Sequence, residues 1–198
     1  YTIEAYTKNI NILFKLKIPF IGFIINYSNR ESSNNEVNMV KYWFNLLEIP
    51  LYVRNIDEIV RNNSDRQFYE DITKDIRFDC YKKLNNPVIL GHNRDDSLEN
   101  IIANIKKCQN YSNLCGMTYE SIINDIKIYR CMLDVSKSEI VDFAKEKKIP
   151  YVYDSTPDWS FRGKTRDIII PAIMSVDENI LYGFENLSES LQDIMNFM

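Results

Sequence analysis

Pro87-Val88-Ile89-Leu90-Gly91-His92-Asn93-Arg94-Asp95-Asp96-Ser97-Leu98-Glu99-Asn100 is the stretch in which the periodicity of the chain changes. Its first four residues are a continuous apolar run closed by Gly91, the pattern of a parallel strand buried on both faces. Beyond it Leu98, Ile101, Ile102 and Ile105 recur at helical spacing, so a helix should start near Asp95. In open α/β sheets ligands collect outside the carboxyl ends of the strands, where the following helices begin. Asp95, Asp96, Glu99 and the chain's only histidine, His92, fall at that place. Acceptor-only groups there suit a hard cation such as Mg²⁺ or a bound ammonium group, and would repel a bare phosphate. They also suit a helix start: Asp is a favoured N-cap, acidic first turns complement the helix dipole, and a carboxylate a few residues on can close a capping box. Spacing alone leans toward the cap.

Outward from this stretch, helix and strand patterns alternate, which argues for an α/β fold with a doubly wound parallel sheet. A helix is expected over roughly 2–17, a strand over 20–25, a helix over 31–47, a strand over 50–54 and a long helix over 65–84. After the acidic stretch come a polar connection at 110–116, a strand at 126–129 and a helix from Ser136 through Lys147. Ser136-Lys137-Ser138-Glu139 matches a capping box at its start. A short strand at 149–153, a polar loop at 154–163 and a terminal helix at 180–197 complete the reading. We expect one domain over residues 1–176 and a C-terminal acidic helix over 177–198, packed on it or trailing.

The 198 residues suffice for one well-buried α/β domain. The net charge of −4 is uneven: Asp167 to Met198 holds six acidic residues and no Lys or Arg, leaving 24 basic against 22 acidic residues elsewhere. Charge therefore neither excludes nor indicates an RNA partner. Cys80, Cys108, Cys115 and Cys131 form no C-x-x-C pair, so zinc and iron–sulfur spacings are missing. They read as small buried hydrophobes. No signal peptide and no bilayer-length apolar run is present, so a cytoplasmic protein with no membrane contact is expected.

The string G-H-x-x-D-D-x-x-E over residues 91–99 resembles the motif of tRNA(Ile)-lysidine synthases, members of the PP-loop ATP pyrophosphatases, with Asn100 where the family has Thr. Further matches follow in family order. Residues 24–31 are similar to the family's H-x-N-H strand end, and Ile49-Pro50-Leu51-Tyr52-Val53 to its I-P-L-x-V strand. Arg77-Phe78 stands in the position of its Arg-Tyr helix, Leu114-Cys115-Gly116-Met117 in that of its L-x-G-M turn, and 154–166 in that of its D-x-T…R-x-x-x-R loop. The fold implied is the adenine nucleotide alpha hydrolase-like, PP-loop ATPase type. Two departures stand out. The family's first strand and its Ser-Gly-Gly-x-Asp-Ser phosphate loop should precede the first helix, and neither is found in this chain; Ile24 replaces the strand-end His. The expectation is either a fragment lacking its start or a member that has lost nucleotide binding.

The resemblance implies ATP-dependent ligation of lysine to the wobble cytidine of an isoleucine tRNA through an adenylated cytidine. ATP, Mg²⁺, lysine and tRNA are the implied cofactors and partners. Asp95, Asp96, Glu99 and His92 become the catalytic candidates, with Asp95 and Asp96 as candidate Mg²⁺ ligands. Arg77, Arg162 and Arg166 become the candidates for phosphate or tRNA; Arg77 is equally readable as a solvated helix arginine. Arg162, Lys164 and Arg166 lie beside Trp159 and Phe161, and basic residues interleaved with aromatics can clasp RNA or stack on a base. Two other readings stay open: a tRNA thiolation enzyme of the same superfamily, and a catalytically inactive tRNA-binding or interaction module.

Overall fold

The structure is a computed structural model that describes residues 17–28, 33–61, 65–151 and 160–197. Residues 2–16 of the helix expected over 2–17 and the loop residues 152–159, Trp159 among them, lie outside the described residues. The chain forms two compact units, one built from Tyr6–Val88 and Ile122–Ile128 and the other from Tyr1–Ala5, Ile89–Ser121 and Tyr129–Met198.

In the first unit β1 (Gly22–Asn26) and β2 (Leu51–Asn55) pair in parallel, with Gly22 opposite Leu51 and Asn26 opposite Asn55. The crossover between them carries α1 (Ser33–Leu46). Phe44 and Ile49 are buried together, with Phe20, Val40, Leu47 and Leu51 packed around them. Gly22 makes this possible: a Cβ there would lie 2.2 Å from the Phe44 ring and 2.7 Å from Leu51. α2 (Arg66–Leu84) starts on Asp65, whose carboxylate accepts the Gln67 and Phe68 N–H groups, and ends on Asn85 in a left-handed conformation.

β3 (Val88–Ile89), β4 (Glu120–Ile123) and β5 (Ile126–Tyr129) pair in the order β3-β5-β4. β4 and β5 are joined by Asn124 and Asp125 alone, with φ of 51° and 64°. A two-residue connection of this kind makes an antiparallel hairpin. The expected parallel α/β sheet is thus found in β1–β2, with a hairpin beside β3 that the periodicity does not anticipate.

The second unit holds α3 (Arg94–Lys106), the short α4 (Tyr111–Leu114) in the connection expected to be irregular, and α5 (Lys137–Glu146). α5 has the capping box read from the sequence, Ser136 with Glu139. Met132 and Ile140 pack together beneath it with Val135. Residues 149–151 are not a strand: the helix end turns through Lys148 at φ 53°, and the Ile149 N–H returns to the Ala144 carbonyl at 2.8 Å. From Phe161 onward the expected loop is helical, as α6 (Phe161–Lys164), a π-helical turn (Thr165–Ile169) and α7 (Ile170–Val176). Pro171 has no N–H to extend an α pattern, and the widened turn lies directly before it. The terminal helix α8 (Asn179–Phe197) is present as read. Its Ser188 is buried against Gly116, which has φ +65° and where a Cβ would meet the Ser188 hydroxyl at 2.8 Å. The cysteines depart from expectation: Cys115 is buried, but Cys108 and Cys131 are exposed. Among the described residues no helix is long and apolar enough to cross a membrane.

Candidate active site

α3 is nucleated by Asn93, whose side chain accepts the Asp96 N–H at 3.0 Å while Asp96 Oδ2 accepts the Asn93 N–H at 3.1 Å. This is a capping box, formed by Asn and Asp in place of the usual Ser and Glu. It fixes the carboxylates by helical geometry. Asp96 and Glu99, three residues apart, share a face and are buried, at 3% and 6% exposure. Asp95 points elsewhere: its Oδ2 accepts the Lys137 N–H at 2.7 Å, at the start of α5.

Opposite the buried pair stand two arginines of the α6 segment. Arg162 donates from Nε to Glu99 and from Nη2 to Asp96. Arg166 donates to Glu99 Oε1 from Nε at 2.9 Å and from Nη2 at 2.7 Å. One helical turn separates them in sequence, and the fully buried Thr165 between them holds the segment by donating to the Phe161 carbonyl at 2.8 Å. Ser160 caps α6 through the Gly163 N–H at 2.9 Å. The Lys106 ammonium lies 4.0 Å from the centre of the Phe161 ring, a second attachment of α6 to α3.

Two carboxylates and two guanidiniums thus form a closed lattice. Burial pushes Asp96 up to about 6 against the Asn93 N–H and the Arg166 charge, and Glu99 up to about 7 against Arg166. Partial desolvation of its guanidinium against α3 draws Arg162, whose side chain is 43% exposed, down to about 10, which leaves it charged at neutral pH. Such a lattice can exchange partners: a cationic ligand can take the carboxylates, and an oxyanion can take the arginines.

The four residues Asp96, Glu99, Arg162 and Arg166, singled out by the sequence, are therefore in direct contact. His92 is half-buried in the connection ahead of α3. Arg77 lies in the other unit, on α2, with its guanidinium 5.7 Å from the Phe78 ring. Lys164 is exposed, and Phe161 faces Lys106. Asp95 and Asp96, the pair implied for Mg²⁺, each hold protein partners. Asp96 spends its oxygens on Arg162 and the Asn93 N–H, Glu99 on Arg162 and Arg166, and Asp95 Oδ2 on Lys137. Among the described residues no group of three or more His, Cys, Asp or Glu side chains could hold a metal ion. Sequence reasoning did not find the clasp of α8 on this site. Arg94 donates to both oxygens of Glu185 at 2.6 Å, and its guanidinium lies 5.1 Å from the Tyr182 ring centre. Only Arg94 of that trio stands in the motif, and a partner 91 residues away leaves no local signal.

A family model of the PP-loop domain matches residues 4–173. Among curated relatives, the tRNA(Ile)-lysidine synthase of Staphylococcus epidermidis is 31% identical over 162 residues, covering 75% of this chain and 36% of the relative. That of Chlamydia muridarum is 26% identical over 189 residues, covering 91% and 58%. The chain spans between these shares, 36% and 58%, of the length of the two relatives. Of solved structures, the U34-tRNA thiolase NcsA from Methanococcus maripaludis superposes with a TM-score of 0.72 at 16% identity, over 96% of this chain and 68% of that one, a likeness of fold.

Proposed function

The chain belongs to the PP-loop domain family, and from that premise we propose that it is the catalytic portion of a tRNA(Ile)-lysidine synthase-like ligase. The reaction joins lysine to the wobble cytidine of an isoleucine tRNA in two steps. The cytidine C2 oxygen attacks the α-phosphorus of ATP and pyrophosphate leaves. The lysine amine then attacks C2, AMP departs with that oxygen, and the amine loses a proton. ATP supplies the activation; the residues described above supply charge, orientation and proton handling.

The observation that carries this reading is the contact of Asp96 and Glu99 with Arg162 and Arg166, because it brings two separated family motifs to one place. The reaction needs a seat for an ammonium group and a seat for departing phosphate. In our assignment Asp96 and Glu99 receive the lysine ammonium, displacing the guanidiniums. The freed Arg162 and Arg166 face the leaving AMP. Glu99, raised to about 7 by burial, takes the proton that the ammonium must lose before its nitrogen can attack. Asp95 is a positioning residue: through the Lys137 N–H it sets α3 against α5. No step is assigned to Mg²⁺ on these carboxylates.

The test is incorporation of labelled lysine into tRNA(Ile) by the full-length protein with ATP. Incorporation that needs ATP and is lost in Glu99→Gln supports the assignment; wild-type incorporation by a folded Glu99→Gln protein removes Glu99 from it.

A further inference from the structure

Three arginines of the second unit use the same edge of the guanidinium, the fork of Nε and Nη2, to hold a carboxylate. Arg94 gives both nitrogens to Glu185, Arg166 gives both to Glu99, and Arg162 divides them between Glu99 and Asp96. Arg130 differs. It is 7% exposed, the only buried arginine among the described residues. Its bonded edge is the other one: Nη1 donates to the Thr118 carbonyl at 3.0 Å and to the Ser121 hydroxyl at 2.9 Å. Nε is buried without a hydrogen-bond partner. Among the described residues no carboxylate makes an ion pair with Arg130.

A buried cation with no counter-charge is costly, and Arg cannot escape by giving up its proton. Burial draws the group below its ordinary value, and no charge opposes that. Position adds to chemistry. Arg130 directly follows β5; the preceding Tyr129 carbonyl accepts the Leu90 N–H at 2.8 Å, and Met132 pairs in a parallel bridge with Asn93. The arginine therefore starts the loop at the carboxyl end of β5, next to the connection that leads into α3, where α/β proteins take their ligands.

We propose that the Nε/Nη2 fork of Arg130 is the seat of an oxyanion, a phosphate group held side-on by two parallel hydrogen bonds. The planar fork matches phosphate as it matches carboxylate. The choice of phosphate rests on the reaction proposed above, whose substrates are a nucleotide and an RNA.

The experiment is titration of the full protein with inorganic phosphate, followed by calorimetry and by melting temperature, for wild type, Arg130→Met, Arg130→Lys and Arg94→Lys. Saturable binding by wild type should be lost in Arg130→Met and weakened about tenfold in Arg130→Lys, because an ammonium is a point charge without a fork. Arg94→Lys, whose fork already holds Glu185, should bind as wild type does. If Arg130→Met does not fold, Arg130→Lys decides. No saturable binding by wild type, or wild-type affinity in Arg130→Lys, overturns the proposal. Repeating the titration with AMP and with a tRNA transcript separates the sources: the ligand whose affinity falls in Arg130→Lys brings the phosphate, and unchanged affinity for both overturns the seat. No turnover is needed, so loss of this proposal leaves lysine ligation untouched, and the reverse holds.

Discussion

Asn93 and Asp96 cap each other's backbone, Oδ1 of the first accepting the N–H of the second and Oδ2 of the second accepting the N–H of the first. The other Asp96 oxygen accepts from Arg162. The choice between a helix cap and a charged site, open from spacing, resolves into one side chain with an oxygen for each. The two roles separate by substitution. Asp96→Asn keeps an acceptor for the Asn93 N–H and removes the charge, whereas Asp96→Ala removes both. We predict that Ala is less stable than Asn by about 1 kcal/mol, the worth of a cap, in urea unfolding. Equal stabilities would show that the box contributes nothing.

Glu99 is the hub of the lattice, taking Arg162 on one oxygen and Arg166 on the other. Removing an arginine leaves a buried carboxylate with an unanswered oxygen, which costs more than removing charge from both sides. Arg166→Ala should lower stability by about 1–3 kcal/mol, a range that allows for the partial exposure of Arg166. The double variant Arg166→Ala/Glu99→Gln should recover part of that loss. A strictly additive double-mutant cycle would mean that the pair is not coupled.

The folded values of both carboxyls, about 6 for Asp96 and about 7 for Glu99, lie above the ordinary values of these side chains, 3.8 and 4.5. The folded chain therefore binds more protons than the unfolded chain between those limits, and stability falls as pH rises across them. This contribution is fully present below the unfolded values and is lost as pH passes through about 6 and then about 7. Unfolding free energies measured across this window should decline more steeply for wild type than for Glu99→Gln. Parallel curves would contradict the burial of an ionisable Glu99.

Gly22 lets β1 approach α1 at Phe44, where an added Cβ would come within 2.2 Å of the ring. Gly22→Ala should cost about 1–3 kcal/mol by overpacking, read as a fall in melting temperature. An unchanged melting temperature would place the Phe44 ring elsewhere.

The apolar runs and 3.6-residue stripes carried the strands at 22–26, 51–55 and 126–129 and the helices at 33–46, 66–84, 94–106 and 137–146 into view within a few residues. The capped start read from the sequence, Ser136, is a cap, and Asp65, at the expected start of the long helix, is another. Helix ends were less legible, because Glu48, Asn85, Cys108 and Lys148 take the left-handed conformation without a glycine to mark it. The β4–β5 hairpin did have a signal, Asn124-Asp125 between isoleucines, in a turn with both φ values positive. Local pattern gives the types of residue at the site, since Asp96, Glu99, Arg162 and Arg166 all stand in recognisable motifs. It does not give their pairing across more than sixty positions, the diversion of Asp95 to α5, or the Arg94–Glu185 clasp, all of which are products of packing.

The central claim, that the Asp96/Glu99 lattice serves ATP-dependent lysine ligation, is tested most directly by one assay. Full-length protein and its Asp96→Asn variant, both shown to be folded, are incubated with tRNA(Ile), ATP and labelled lysine. We predict ATP-dependent label in the tRNA for the wild type and none above background for Asp96→Asn. Label incorporated by Asp96→Asn at the wild-type rate, or none by the wild type, would contradict it.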